Sequence, residues 1–325
     1  MTTTSLFSRC HSSSSSLNFK CELESPAKTR LFSPATGKHV VRSLKTCRIS
    51  CSSHDPGSGR VFVSSRRKMV VMLSTVQLLS HLLPPNGKAA DMFRLMKDEI
   101  RRVVTKGKAA GVLRLVFHDA GTFELDDNTG GINGSIVYEL ERPENAGLKR
   151  SLKVLEKAKI KVDEIQPVSW ADMIAVAGSE AVSMCGGPTI PVVLGRLDSM
   201  QPDPEDKLPP ESLNASGLKE CFQRKGFSTQ ELVALSGAHT IGSKGFGDPF
   251  TFDNAYYKIL LEKPWSSTTS KMTSMVGLPS DHALVEDDEC LRWVKEYADD
   301  QDKFFKDFTN AYIKLVNSGA KWKTL

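Results

Sequence analysis

Arg114 and His118 stand four residues apart in the otherwise apolar run Gly111 to Thr122. At helical pitch both side chains fall on one face, a turn apart, with Phe117 on the same side. A cation of fixed charge beside a group that takes and returns a proton near neutral pH suits acid/base work on a small polar molecule. The same pattern also fits a buried helix from which Arg114 snorkels and in which His118 is a satisfied interior histidine. A second histidine, His239, follows 121 residues later in Leu235-Ser236-Gly237-Ala238-His239-Thr240-Ile241-Gly242, at the end of a helical pattern where a protonated imidazole is favourable.

The elements that must position these groups are helical. Phe93, Leu95, Met96, Ile100, Val103 and Val104 predict an amphipathic helix over Asp91 to Val104, and a Lys/Gly break at Lys106 to Lys108 starts the helix of Arg114 and His118. Residues 126 to 134 are a Gly-rich loop that matches no phosphate-binding spacing. Further helices are predicted at Glu144 to Lys157 and at Ser169 to Met184, the latter stopping at Gly186-Gly187-Pro188. Residues 188 to 215, rich in Pro and Asp, read as an irregular seam between two halves. Ser228-Thr229-Gln230-Glu231 is a capping box that opens the helix leading to His239. Phe252 to Tyr257 is helical, Leu278-Pro279-Ser280-Asp281 a turn, and Val285 to Tyr297 and Asp302 to Asn317 are closing helices. Strand signals are few, so the fold class is all-α.

Of 325 residues, the first 68 carry 12 Lys/Arg against 3 Asp/Glu, and the remainder carries 31 against 35. Basicity therefore belongs to the N-terminal segment, and nothing argues for nucleic acid as a partner of the body. That segment is Ser-rich and acid-poor, as organellar transit peptides are, and residues 1 to 90 are read as a presequence. Ser65-Arg66-Arg67-Lys68, the apolar stretch Met69 to Leu83 and small residues near Ala89-Ala90-Asp91 resemble a second, export-type signal. The stretch is too short and polar for a membrane span, so no anchor is expected. Beyond it only Cys185, Cys221 and Cys290 remain, without a CxxC, which argues against a disulfide framework or a thiolate zinc site.

Taken together, Arg-Leu-x-Phe-His-Asp-Ala-Gly-Thr and Leu-Ser-Gly-Ala-His-Thr-Ile-Gly resemble the distal and proximal histidine signatures of plant-type haem peroxidases. The form His-Asp-Ala-Gly-Thr, with no cysteine after the aspartate, is similar to the intracellular branch that includes ascorbate peroxidase, and to the ascorbate-peroxidase-related proteins of plant plastids. Val168-Ser169-Trp170-Ala171-Asp172, Gly195-Arg196-Leu197-Asp198, Phe252-Asp253-Asn254 and Leu278-Pro279-Ser280-Asp281-His282-Ala283-Leu284 extend the resemblance to the C-terminus. It implies a two-domain helical fold with haem b between a distal half, 91 to 205, and a proximal half, 206 to 325. It implies that His239 ligates the haem iron and that Asp281 accepts its other ring N–H. His118 and Arg114 then act on hydrogen peroxide, and Asn145 orients His118. Arg196 and Asp198 read as a structural pair near a haem propionate, and His282 as a surface residue. The implied location is a plastid, the stroma before the thylakoid lumen.

The departures bear on the reductant. Phe117 stands where intracellular members carry a distal tryptophan, and Phe250, in Asp248-Pro249-Phe250, where they carry a proximal one. A phenylalanine is a poor radical site, so the second oxidising equivalent is expected to stay on the porphyrin. The arginine with which ascorbate peroxidases hold their anionic substrate is missing, Lys244 and Lys106 being the nearest candidates. Thr240, Thr251 and Asp253 match ligands for a proximal potassium or calcium ion, with a connecting loop too short to supply further carbonyls. The expected function is peroxide reduction by a small electron donor in antioxidant defence. The alternative is a non-catalytic relative with weak or no haem binding, acting in assembly or stress sensing.

Overall fold

The computed structural model describes residues 87 to 262, 265 and 276 to 324; of the segment 1 to 90 read as a presequence, residues 1 to 86, with the apolar stretch, lie outside the described residues, and 87 to 90 are helical. The helices among them are α1 (Gly87–Val103), α2 (Lys106–Ala120), α3 (Leu148–Asp163), α4 (Trp170–Met184), α5 (Ala215–Arg224), α6 (Thr229–Ser236), α7 (Ala255–Glu262), α8 (Pro279–Ala283), α9 (Asp288–Asp299) and α10 (Gln301–Leu315). Extended pairing among the described residues amounts to two isolated bridges, so the fold is all-α. No described helix is long and apolar enough to cross a membrane.

α4 is the axle of the first set of helices. It is buried from Ala171 to Val182, mostly by apolar residues, and its buried Asp172 and Glu180 are paired with Arg196 and with Lys97 and Arg101. Its N-terminus is capped by Ser169 Oγ, which accepts from Asp172 N, and by Asp198, which accepts from Trp170 N and Ala171 N at 2.8 and 2.9 Å. α2 lies along α4, while α1 and α3 cover the outside through Met96, Ile100, Leu155, Ala158 and Val162. The closest approach is at Gly178, where a Cβ would run into the Tyr312 hydroxyl and Val116. Tyr312 donates there to Ala175 O at 2.7 Å, tying α10 to α4.

The second set packs α6 and α7 against α9 and α10, with α5 beside α6. Phe252, Phe304, Phe308, Tyr257 and Tyr297 form one aromatic cluster, with ring pairs at 4.8 to 5.9 Å among them. Each such pair adds about 0.5–1.5 kcal/mol beyond its buried area.

Several expectations need correction. The helix predicted from Glu144 begins at Leu148, because Gly147 is left-handed (φ 87°) and Pro143–Asn145 forms a separate 3₁₀ turn. α5 was not predicted, although Asn214 caps it and Leu218, Cys221 and Phe222 are spaced as an apolar helix face. The turn predicted at Leu278 to Asp281 is the entry to α8. Arg196 and Asp198 are not a pair. Arg196, fully buried, bonds Asp172 Oδ1 (3.0 Å), Val316 O (2.7 Å) and Asn317 Oδ1 (2.9 Å), so it fastens the C-terminal end of α10 to the start of α4.

Candidate active site

α2 carries Arg114 and His118 on one face, as their spacing predicts, and the loop 143 to 146 grips both. Arg114 donates from Nη1 to Ala146 O (2.8 Å) and from Nη2 to Glu144 O (2.7 Å). Between those two carbonyls, buried Asn145 reaches His118, Oδ1 to Nδ1 at 2.7 Å, and donates from Nδ2 to Glu139 O at 2.9 Å. Because the amide nitrogen is engaged by a carbonyl, Oδ1 is an acceptor and the His118 proton sits on Nδ1. Burial holds the charged ring down and the Arg114 charge adds to it, outweighing the Asn145 hydrogen bond, so His118 titrates at about 4. At neutral pH it presents a bare Nε2. Phe117 packs edge-on to His118 (6.2 Å) and stacks on Phe222 (6.3 Å).

His239, the second candidate histidine, is delivered by α6. The capping box is complete, with Glu231 N donating to Ser228 Oγ and Ser228 N to Glu231 Oε2. The helix tightens into the 3₁₀ turn Gly237–Thr240, which holds His239. His239 Nδ1 donates to Asp281 Oδ1 at 2.7 Å. Asp281 is buried and also accepts from Tyr256 Oη on Oδ1 (2.8 Å) and from Leu278 N on Oδ2 (2.7 Å). Burial opposes both charges of this couple, but their attraction and these donors prevail: His239 titrates above the ordinary imidazole range and Asp281 below the carboxylate range.

Both constellations open on one cavity of about 830 Å³. Arg114, Phe117 and His118 line it from α2, His239 and Asp281 from the other set, and Leu208, Pro210 and Glu211 from the segment between. His239 lies deep in the protein, yet its side chain is 40% exposed. That open surface faces the cavity, and no described residue hydrogen-bonds its Nε2. A nitrogen with its partner nitrogen anchored on a carboxylate is the donor arrangement of a metal-ligating histidine. The cavity volume and its Leu, Ile, Phe and Pro walls suit a large apolar planar cofactor, so the residues present fit a haem.

Other sequence candidates fall elsewhere. Phe250 does not line the cavity: the turn 248–251 closes on itself through Asp248, which accepts from Phe250 N and Thr251 Oγ1, and the half-exposed ring rests beside Gly107. Thr240 donates to Asp253 Oδ1 (2.9 Å), but Thr251 is turned to Asp248, so the three cation candidates do not converge. Lys244 lines the cavity and Lys106 does not. His282 is not a surface residue; it stacks on Trp265 at 4.2 Å and its Nε2 bonds Val276 O. Sequence reasoning missed Tyr256, whose role depends on a contact 25 residues away that no local pattern announces.

Residues 90–300 match the family described as Peroxidase. The chain belongs to the peroxidase family. Among its relatives, "Putative L-ascorbate peroxidase 6" of Arabidopsis thaliana is 83% identical over 98% of this chain and 96% of its own length. "L-ascorbate peroxidase 2, cytosolic" of the same plant is 37% identical, over 69% of this chain and 90% of its own. "Putative heme-binding peroxidase" of Pyricularia oryzae is also 37% identical, over 66% of this chain and 81% of its own. Within this peroxidase the two histidine motifs thus face each other across one cavity.

Proposed function

We propose that this peroxidase binds haem b through His239 and reduces hydrogen peroxide to water with a small electron donor. The observation that carries the reading is the pair of histidines opening on the same cavity: one with a bare nitrogen and no charge, the other anchored by a buried carboxylate. When bound, haem supplies the redox centre that accepts two oxidising equivalents from peroxide. His118 Nε2 takes the proton from one peroxide oxygen and hands it to the other, so that the departing oxygen leaves as water. Asn145 keeps Nδ1 protonated and Nε2 free for that transfer. Arg114, held by two carbonyls, keeps N–H donors for the negative charge that grows as the O–O bond breaks. Asp281 draws on the Nδ1 proton of His239 and makes its free nitrogen more electron-rich.

We further propose that ascorbate is not the preferred donor, although the plant relatives carry that name. Lys244 is the lysine on the cavity wall, and a point charge lacks the bidentate fork that a planar anion favours. Glu211 on the same wall opposes anions. Phenolic donors such as guaiacol fit better. The reading includes antioxidant service in a plastid, supported by the composition of residues 1 to 90. It includes no proximal cation, because Thr240 and Asp253 satisfy each other.

Reconstitution of the mature protein with haem tests the core of the proposal. One haem per chain with a Soret band, lost in His239→Ala, is expected; a wild type that retains no haem refutes it and leaves the non-catalytic alternative. Ascorbate half-saturating as low as guaiacol would refute the donor assignment.

A further inference from the structure

Tyr256 begins a continuous line of oxidisable rings that leads away from the cavity. Its ring centroid lies 6.1 Å from that of His239 and 5.0 Å from that of Tyr257. Tyr257 is 5.2 Å from Tyr297, and Tyr297 is 6.0 Å from Trp293. All four steps are contact distances for aromatic side chains. Tyr256, Tyr257 and Tyr297 are fully buried, whereas Trp293 is partly exposed on α9. The phenylalanines that flank the line, Phe246 and Phe304, are not oxidisable in the range of tyrosine or tryptophan.

Each phenol donates a hydrogen bond, and two of the three donate to a carboxylate that can take the proton; Tyr257 bonds a backbone carbonyl, which cannot, so its ring serves as the bridge between the other two. Tyr256 donates to Asp281 Oδ1 (2.8 Å), Tyr257 to Val233 O (2.9 Å) and Tyr297 to Asp307 Oδ2 (3.1 Å). Loss of an electron from a buried phenol makes its proton strongly acidic, and a charged phenoxyl cation in a dry core is penalised. A carboxylate at hydrogen-bond distance removes that penalty, because the proton shifts along the bond and returns when the ring is reduced. The two carboxylate-bonded tyrosines stand on either side of Tyr257.

Resting on the haem-peroxidase reading, we propose that Tyr256, Tyr257, Tyr297 and Trp293 form an electron relay that gives the oxidising equivalent a second exit at the protein surface. The electron and proton balance is closed for one equivalent. Trp293 loses one electron, which passes through Tyr297, Tyr257 and Tyr256 to the peroxide-oxidised cofactor, and its indole N–H proton leaves to water. A phenolic donor then returns one electron and one proton to the indole. Two such events supply the two electrons that peroxide takes. Arg292 and Lys303 lie over the Trp293 ring at 4.2 and 5.5 Å, so a positively charged indole is disfavoured and the proton departs with the electron. The donors served are aromatic reductants too large to enter the cavity. The relay also revises the expectation that the equivalent stays on the porphyrin: Phe250 cannot hold it, but Tyr256 occupies the hydrogen-bonding position on Asp281.

The test uses the haem-loaded mature protein, one equivalent of hydrogen peroxide, no donor, and a nitroso spin trap read by peptide mass mapping. The expected result is an adduct on Trp293. In Tyr297→Phe, which keeps the ring and removes only the hydroxyl, the Trp293 adduct falls at least about 10-fold while the Soret band is retained. Trp322, 41% exposed and outside the line, is the control for oxidant that diffuses through solvent. Unlabelled Trp293 in the wild type, equal labelling of Trp293 and Trp322, or full labelling of Trp293 in Tyr297→Phe would each overturn the relay. A missing Soret band would end the haem reading itself, and it is seen before any trap is added.

Discussion

Asn145→Ala isolates the control of a tautomer from the control of a charge. The substitution removes the acceptor of the His118 Nδ1 proton and the donor to Glu139 O, leaving two buried groups unpaired. Each unpaired group costs about 1–3 kcal/mol. His118 escapes part of that penalty by moving its proton to Nε2, where it blocks the base. If the barrier to peroxide cleavage rises by the same 1–3 kcal/mol, the rate at pH 7 falls roughly 5- to 150-fold. His118→Ala should fall further, by about 100- to 10,000-fold, since it removes the base altogether. The pH profile separates the causes. The wild-type rate should lose its base only as pH drops toward about 4, because burial and Arg114 hold His118 neutral above that. The Asn145 hydrogen bond is the contribution that raises this value, so in Asn145→Ala the acid limb stays put or moves lower. Stopped-flow measurement of peroxide cleavage in the haem-loaded protein from pH 3.5 to 9 reads both quantities. A loss under about 2-fold at pH 7, or an acid limb displaced toward 6.5, would refute the tautomer argument.

Three further outcomes are expected. Asp281→Asn should weaken haem retention roughly 10- to 100-fold, as loss of a ligand's hydrogen-bonding partner does, and displacement of haem to apomyoglobin measures it. Gly178→Ala should destabilise the protein by about 1–3 kcal/mol, because the new methyl meets Val116 and the Tyr312 hydroxyl; a melting temperature within a degree of wild type would contradict the packing of α2 on α4. Asp119 is buried and accepts from Gly134 N and Ile136 N, yet desolvation dominates and raises it to about 8. The folded state therefore holds this proton where the unfolded chain has released it. Its contribution is fully present below the ordinary carboxylate value and is lost as pH rises through about 8. Urea midpoints should fall from pH 5 to 9 in wild type and fall less in Asp119→Asn.

The parts of the site legible in the sequence are those fixed by short-range geometry. Arg114 and His118 are neighbours because four residues make a helical turn, and the helix of His239 is announced by its own capping box. Asp281 and Asn145 became candidates only through family resemblance, since each meets its histidine across 42 and 27 residues. Phe250 shows the opposite failure. The motif suggested a cavity residue, but the short turn 248–251 satisfies its own polar groups through Asp248 and carries the ring outside. α5 escaped because it is ten residues long and emerges directly from a Pro-rich segment. Arg196 misled because Asp198 is two residues away, while the carboxylate it bonds is Asp172.

What divides the labour between the two histidines is the chemistry of the partner on Nδ1. Both rings are desolvated by burial, and desolvation alone would push both down. Asn145 offers a neutral amide, whose hydrogen bond fixes the tautomer and favours the charged ring too weakly to offset burial and Arg114, so His118 stays a free base to about pH 4. Asp281 offers a full negative charge, which overcomes the same desolvation and draws on the Nδ1 proton of His239. A proton shuttle needs a nitrogen that is empty at working pH, and a ligand needs one made electron-rich and held still. Exchanging the partners should exchange the properties: Asn145→Asp places a carboxylate on His118 and should move its titration upward from about 4, bringing the acid limb of peroxide cleavage toward neutrality. If that limb does not move, a carboxylate on Nδ1 does not overcome burial and Arg114, and the partner is not what separates the two histidines.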